Sequence, residues 1–153
     1  VKKRGTARHI AIAQEPEKVF LIARETGKNA ERRASEKVMG FLQERYPLMV
    51  RNSQRFYVST RGNVWECGVQ CGDGFKLPEN DCVELLRIPA GAYAVLPDDC
   101  LGDIGVGAAK LEQWLQNNSM AHEDDPVFAV YEARNGRYDT DSVKMKLYKR
   151  LKK

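Results

Sequence analysis

The chain carries nearly the same segment twice. Lys37-Val38-x-x-Phe41-Leu42-Gln43 matches Lys110-Leu111-x-x-Trp114-Leu115-Gln116 at a constant spacing of 73 residues. Upstream, Val19-Phe20-Leu21-Ile22 falls at that spacing on Ala92-Tyr93-Ala94-Val95. Downstream, Tyr57-Val58-Ser59-Thr60-Arg61-Gly62 falls on Tyr131-Glu132-Ala133-Arg134-Asn135-Gly136 at a spacing of 74, a slip of one. Two copies of one supersecondary unit bury their apolar faces against each other and read as one pseudo-symmetric domain. A pseudo-twofold axis gathers equivalent residues around a shared cleft, and function is expected there.

At 153 residues the chain is long enough for one domain with a real core. Its 42% apolar and 30% charged content is that of a soluble globular protein. No apolar run approaches the roughly 18 residues of a spanning helix. The opening Val1-Lys2-Lys3-Arg4 lacks the apolar stretch of a secretory signal, so the expected compartment is the cytoplasm and no membrane is expected. The net charge of +4 is concentrated at the termini, in Lys2, Lys3, Arg4 and Arg8 and in Lys144 to Lys153. Solvated tails and a lysine-guarded edge strand explain that better than a nucleic-acid footprint, because acidic residues balance the middle of the chain.

Residues 1–16 read as a basic arm or a leading strand, and 17–153 as a single domain with repeat units of about 17–72 and 82–153. Val19 to Ala23 is an apolar run of strand length, closed by Gly27. Asn29 is placed to N-cap a helix, Ala34, Val38, Phe41, Leu42 and Tyr46 recur at helical spacing, and Pro47 stops it. Arg55–Thr60 and Asn63–Cys71 flank the turn signal Arg61-Gly62, which predicts a hairpin. In the second copy Val83–Ile88 is a strand, Pro89-Ala90-Gly91 a bend, and Tyr93–Leu96 the next strand. Asp103 is the expected cap of a helix bearing Ala108, Leu111, Trp114 and Leu115. Val127–Ala133 and Ser142–Leu151 form a hairpin about Asn135-Gly136. In the last strand Val143, Met145, Leu147 and Leu151 alternate with charges, which predicts one buried and one solvated face. Two strand-helix-strand-strand units predict an α+β fold. One large, curved antiparallel sheet would carry two helices on one face and a central groove on the other.

Familiar catalytic arrangements are absent. His9 and His122 stand in no partner spacing, and G-x-S-x-G, P-loop and H-E-x-x-H patterns do not occur. Gly102-Asp103-Ile104-Gly105-Val106-Gly107 reads as the entry of the second helix rather than a phosphate loop. Cys67, Cys71, Cys82 and Cys100 lack metal-site spacing, so neither metal nor cofactor is expected. The aromatics carry more information. Tyr57, Trp65, Tyr93, Phe128 and Tyr131 fall on predicted strands, as candidates to line the groove. Rings with a partly desolvated carboxylate make a site for a lipophilic cation. Glu66 and Glu132 both interrupt apolar strand sequence, where Glu is disfavoured unless it points to solvent or serves a purpose. Glu132 also stands where the first copy has Val58.

At these residues the chain resembles the GyrI-like effector-binding domain, found alone and as the sensing module of MerR- and AraC-type regulators. The resemblance covers about Val19 to Leu151. It is carried by the duplicated order, by Arg87-Ile88-Pro89-Ala90-Gly91-Ala92-Tyr93-Ala94-Val95, by Leu111-x-x-Trp114-Leu115 and by Pro126-Val127-Phe128-Ala129-Val130-Tyr131-Glu132. It implies an aromatic and acidic groove that binds amphiphilic, often cationic compounds, in multidrug sensing or sequestration. Some members act on DNA gyrase, so gyrase or a regulator domain is a possible partner. One branch looks hydrolytic, with a pocket Glu acting on strained rings, and Glu66 or Glu132 would fill that role here. In many members the acid occupies the position of Ala129, which makes Glu132 and Glu66 alternatives. Binding is preferred over hydrolysis, because no second catalytic group stands beside either acid. No helix-turn-helix precedes Val19, so sequence-specific DNA reading is not expected.

Overall fold

The computed structural model describes residues 10–49, 53–72, 74–98, 104–134 and 145–152, with the backbone alone at 53, 54, 98 and 132–134. Eight strands form one curled antiparallel sheet: β1 (Ala11–Glu15), β2 (Lys18–Thr26), β3 (Ser53–Arg61), β4 (Val64–Cys71), β5 (Glu84–Ile88), β6 (Gly91–Asp98), β7 (Phe128–Arg134) and β8 (Met145–Arg150). Helices α1 (Ala30–Arg45) and α2 (Ile104–Asn117) cover one face of it. The fold class is α+β, as the duplicated pattern predicts.

The strand order β1-β6-β8-β7-β3-β4-β2-β5 reads as a palindrome when the two copies are exchanged. Two connections force the curl. β1 and β2 lie six positions apart in that order, yet only Pro16 and Glu17 join them. Six strand spacings in a flat sheet span about 29 Å, whereas three Cα steps cover about 11 Å at most. The same holds for β5 and β6, joined by Pro89 and Ala90. The ladder resolves the conflict. β1 pairs with β6 up to Glu15–Gly91, and β2 pairs with β5 from Lys18–Ile88, in unbroken register. Each pair of strands is therefore one long strand, bent at a proline that interrupts the ladder without ending it. Pro16 and Pro89 are themselves 73 residues apart. The repeat unit thus gains a leading strand: Ala11–Glu15, part of the segment 1–16, is the counterpart of β5.

Strand parity divides the core in two. Val19, Leu21, Val58, Cys67, Val69, Ala94, Ala129 and Leu147 face the helices and pack on Ala34, Val38 and Leu42 of α1 and Leu111 and Leu115 of α2. Each fully buried aliphatic contributes roughly 1.5–3 kcal/mol. Phe20, Ile22, Tyr57, Tyr93, Val95, Phe128 and Tyr148 face the concave side. β2 is apolar from Val19 to Ala23 because both of its faces are covered there.

Several local expectations change. Asn29 sits at the N-cap of α1 in the left-handed region (φ 57°), and its side chain makes no cap. Arg33 secures that corner instead, donating to Lys28 O at 3.0 Å and pairing with Glu25. Pro47 does end the helix, whose last turn closes with Tyr46 N donating to Leu42 O at 2.7 Å. The solvated face expected of β8 is only partly there: Lys146 is exposed, but Tyr148 on the same face is buried. Among the described residues, no helix is long and apolar enough to cross a membrane. Asp103, Cys100, His9, Val143 and the Asn135-Gly136 turn lie outside the described residues.

Candidate functional site

Most of the concave face is filled by its own rings. Phe20 meets Tyr57 at 5.0 Å between centroids, Tyr57 meets Phe128 at 5.5 Å, and Phe128 stacks on Tyr148 at 5.1 Å. Tyr93 stands edge-on to Phe128 and Tyr148, at 6.2 and 6.3 Å. Such pairs contribute about 0.5–1.5 kcal/mol each beyond the area they bury. The Tyr93 hydroxyl donates to Pro89 O at 2.6 Å, tying β6 back to its own bend.

One end of the face stays open. A pocket of about 290 Å³ is lined by Tyr57, Glu66, Tyr93 and Phe128, by Leu86 to Pro89 at the end of β5, and by Asp125, Pro126 and Arg150. The pocket draws on both halves of the sheet, Tyr57, Glu66 and β5 from one and Tyr93, Phe128 and Arg150 from the other, and the ladders relate those halves. Gly68 of β4 pairs with Ile22 and Tyr57, and Tyr148 of β8 pairs with Val95 and Phe128. Gly68 and Tyr148 are therefore counterparts, and so are Tyr57 and Phe128. Tyr148 adds a ring to the concave face in its half, while Gly68 adds no side chain to the other. Nor could one be added in place: a Cβ at Gly68 would stand 2.0 Å from Leu21 O.

Charged groups ring the opening. Arg24 Nε donates to Glu66 Oε2, and the Tyr57 hydroxyl lies 3.4 Å from Glu66 Oε1. Arg24 also pairs with Glu84. Arg150 Nε meets Asp125 Oδ2 at 2.5 Å, and Arg87 lies 3.4 Å from Glu17. Burial, and then the charge of Glu66, hold the Tyr57 phenol far above the ordinary tyrosine range. Burial also raises Tyr93 and Tyr148. The hydrogen bond to Asp125 is the main reason Arg150 holds its proton more tightly than usual. The site thus presents an apolar, ring-lined floor, a neutral phenol and a carboxylate at its wall.

The structure brings together Tyr57, Glu66, Tyr93 and Phe128 from the sequence-derived set. Trp65 and Tyr131 lie on the other face. Trp65 packs against the helix-side core, and Tyr131 is buried in it, stacked on Phe56 at 5.5 Å. The one-residue slip in the repeat misled here: Tyr57 matches Phe128, 71 residues on, and not Tyr131. Val58 then matches Ala129, which is fully buried under the helices. Glu132 pairs through its backbone with Arg55 of β3, and its side chain lies outside the described residues. Tyr148, Leu86 and Arg24 were missed. The aromatic residue at 148 among lysines was the available signal that this part of the outer face is covered.

Other candidate groups lie elsewhere. His122 bridges to Leu151, with Nδ1 at 3.1 Å from Glu123 O. Cys67 and Cys71 are buried, and burial pushes the Cys67 thiol up to about 12.

No family model matches the chain, and no curated protein matches it. Solved structures do. A hydrolase from Listeria innocua aligns over 97% of this chain and 95% of its own, with TM-score 0.61 and 14% identity. A second hydrolase from that organism aligns over 95% and 92%, with TM-score 0.64 and 11% identity. An uncharacterized conserved protein, also from Listeria innocua, aligns over 95% and 93%, with TM-score 0.60 and 12% identity. At such identities the likeness establishes a shared fold along nearly the whole chain.

Proposed function

We propose that this chain is a GyrI-like small-molecule-binding domain that takes compact, lipophilic cations into the pocket of Tyr57, Glu66, Tyr93 and Phe128. The observation that carries this reading is the placement of Glu66. It is a carboxylate at the wall of a ring-lined pocket, with its side chain 20% exposed and a phenol beside it. Ring faces attract a cation, and a partly desolvated carboxylate supplies the opposite charge. The volume of about 290 Å³ sits at the small end for organic ligands, which suits one or two rings rather than a large dye. Sensing or sequestration of such compounds is the role that fits a site of this kind.

Calorimetric titration with benzyltrimethylammonium tests it. Wild-type protein should bind saturably, and Glu66→Gln should weaken binding by about tenfold, the usual scale for losing a charged partner. Absence of saturable binding to this and other compact aromatic cations would sink the proposal.

A second reading is hydrolysis at the same wall. A carboxylate can direct water onto a strained ring while a neighbouring phenol protonates the leaving oxygen, and Glu66 and Tyr57 stand 3.4 Å apart. Two of the similar structures are described as hydrolases. Conversion of an aryl epoxide to its diol, lost in both Glu66→Gln and Tyr57→Phe, would favour this reading over binding alone.

A further inference from the structure

The carboxylate assigned to the ligand already holds a cation of the chain's own. Arg24 stands directly across from Glu66 in the β2–β4 ladder, and its Nε donates to Oε2. On the other side of β2, the first residue of β5 is Glu84, paired in register with Ile22, and Arg24 Nη1 reaches it. A guanidinium presents five N–H groups in a fixed fork, so one Arg can hold both acids together. The three side chains carry two negative charges and one positive. They also differ in depth. Glu66 is 20% exposed and lines the pocket, whereas Arg24 is 45% and Glu84 51% exposed. Transfer of the guanidinium from Glu66 wholly to Glu84 keeps it paired in solvent. It also frees an acid that faces the rings.

We infer that Arg24 competes with the ligand cation for Glu66, and that Glu84 receives Arg24 when the ligand displaces it. This rests on the reading of Glu66 as the ligand's countercharge. Arg24 is then a specificity residue that acts through Glu66: it sets how strong a cation must be to enter. A compound without charge gains nothing from the exchange. A cation replaces Arg24 at Glu66 and leaves the three-residue cluster plus ligand with two charges of each sign. A strap that merely held β2, β4 and β5 together would behave differently, because loosening it would weaken every ligand alike.

The test uses the whole chain and two probes of one shape, benzyltrimethylammonium and neutral neopentylbenzene. Arg24→Gln should bind the cation about two- to fivefold more tightly, the scale of a partly exposed ion pair. Glu84→Gln should bind it more weakly by a similar factor, because Arg24 then has nowhere else to go. In the Arg24→Gln background, Glu84→Gln should change nothing further. Arg24→Lys, which holds one acid at a time, should tighten cation binding by a smaller factor and serves if Arg24→Gln folds poorly. Neopentylbenzene should bind all variants alike. Unchanged or weaker cation binding in both Arg24 variants would overturn the exchange while leaving the Glu66 site intact. An equal Glu84→Gln penalty with and without Arg24 would also overturn it, since Glu84 would then act through its own field. If neither wild type nor any variant binds the cation, the binding function falls and the exchange falls with it.

Discussion

The two halves of the concave face share a backbone course and differ where Gly68 corresponds to Tyr148. In the second half, Tyr148 stacks on Phe128 and is itself buried. In the first half, Gly68 pairs with Tyr57 and adds no side chain, and the pocket opens between this half and the other. The comparison teaches that two copies of one fold can treat the same position differently, with a ring in one and none in the other. The fold tolerates a ring at this level, as the second copy shows, and the first copy leaves the ring out. Glu66 then falls beside the space, two residues before the glycine and on the same pleat.

The largest expected effect comes from emptying the filled half. Tyr148→Ala should cost about 3–5 kcal/mol, as other large-to-small aromatic changes do, and should open a second ring-sized void. Urea unfolding measures the cost, and a loss below about 1 kcal/mol would mean that Tyr148 is not the filler supposed here. Crowding Gly68 comes next. Gly68→Ala adds one methyl group, yet should cost about 2–3 kcal/mol, because the new carbon meets a backbone oxygen rather than a flexible side chain. A harmless Gly68→Ala would show that the backbone of β2 can retreat from this close approach.

Tyr57→Phe probes the wall of the pocket. The lost contact to Glu66 should cost about 1 kcal/mol or less at neutral pH. At high pH the sign of the effect is informative. Burial raises the folded-state values of Tyr57, Tyr93 and Tyr148, so the folded chain holds these protons more tightly than the unfolded one. Their contribution is complete below about pH 10, the ordinary tyrosine value, and is lost as pH rises above it toward the folded-state values. Denaturation followed against pH should show that decline, and Tyr57→Phe should make it shallower. The smallest effect belongs to the helix side. Trp65→Phe should leave cation affinity within about twofold of wild type, because it removes one apolar contact in the other core. A large loss of affinity there would break the division of the molecule into two faces.

Much of the architecture was legible because it rests on local patterns. The helical stripe of Ala34, Val38 and Leu42 returns as Gly107, Leu111 and Leu115, and all six are buried. Pro47, Gly62 and Pro89 mark a helix end, a turn and a bend through backbone restrictions that act within a residue or two. The faces of β3 and β7 were less legible. The helices keep a spacing of 73, but the connection before the next strand differs in length between copies, and the matching strands stand 71 apart. Read at 74, Tyr131 becomes the partner of Tyr57. Because strand side chains alternate, that odd discrepancy moves Tyr131 across the sheet. Trp65 was legible in the strand itself: it shares parity with Cys67, Val69 and Cys71, while Glu66 and Gln70 take the other face, so Trp65 and Glu66 point to opposite sides of the sheet.

The sequence by itself determined the duplication, the order of elements and the presence of aromatic and acidic residues within the strands. These follow from spacing, turn chemistry and hydrophobic period, all of which act over short stretches of chain. The tertiary structure decided which of those residues meet. Glu66, Tyr57, Tyr93, Phe128 and Ile88 come from five strands, and only long-range pairing fixes their common face. It also decided that Pro16 and Pro89 are paired bends in one ladder rather than two chain breaks. Register across a sheet is a non-local quantity. A single residue gained or lost in a distant loop reverses every side chain in a strand, and the composition of that strand does not record it.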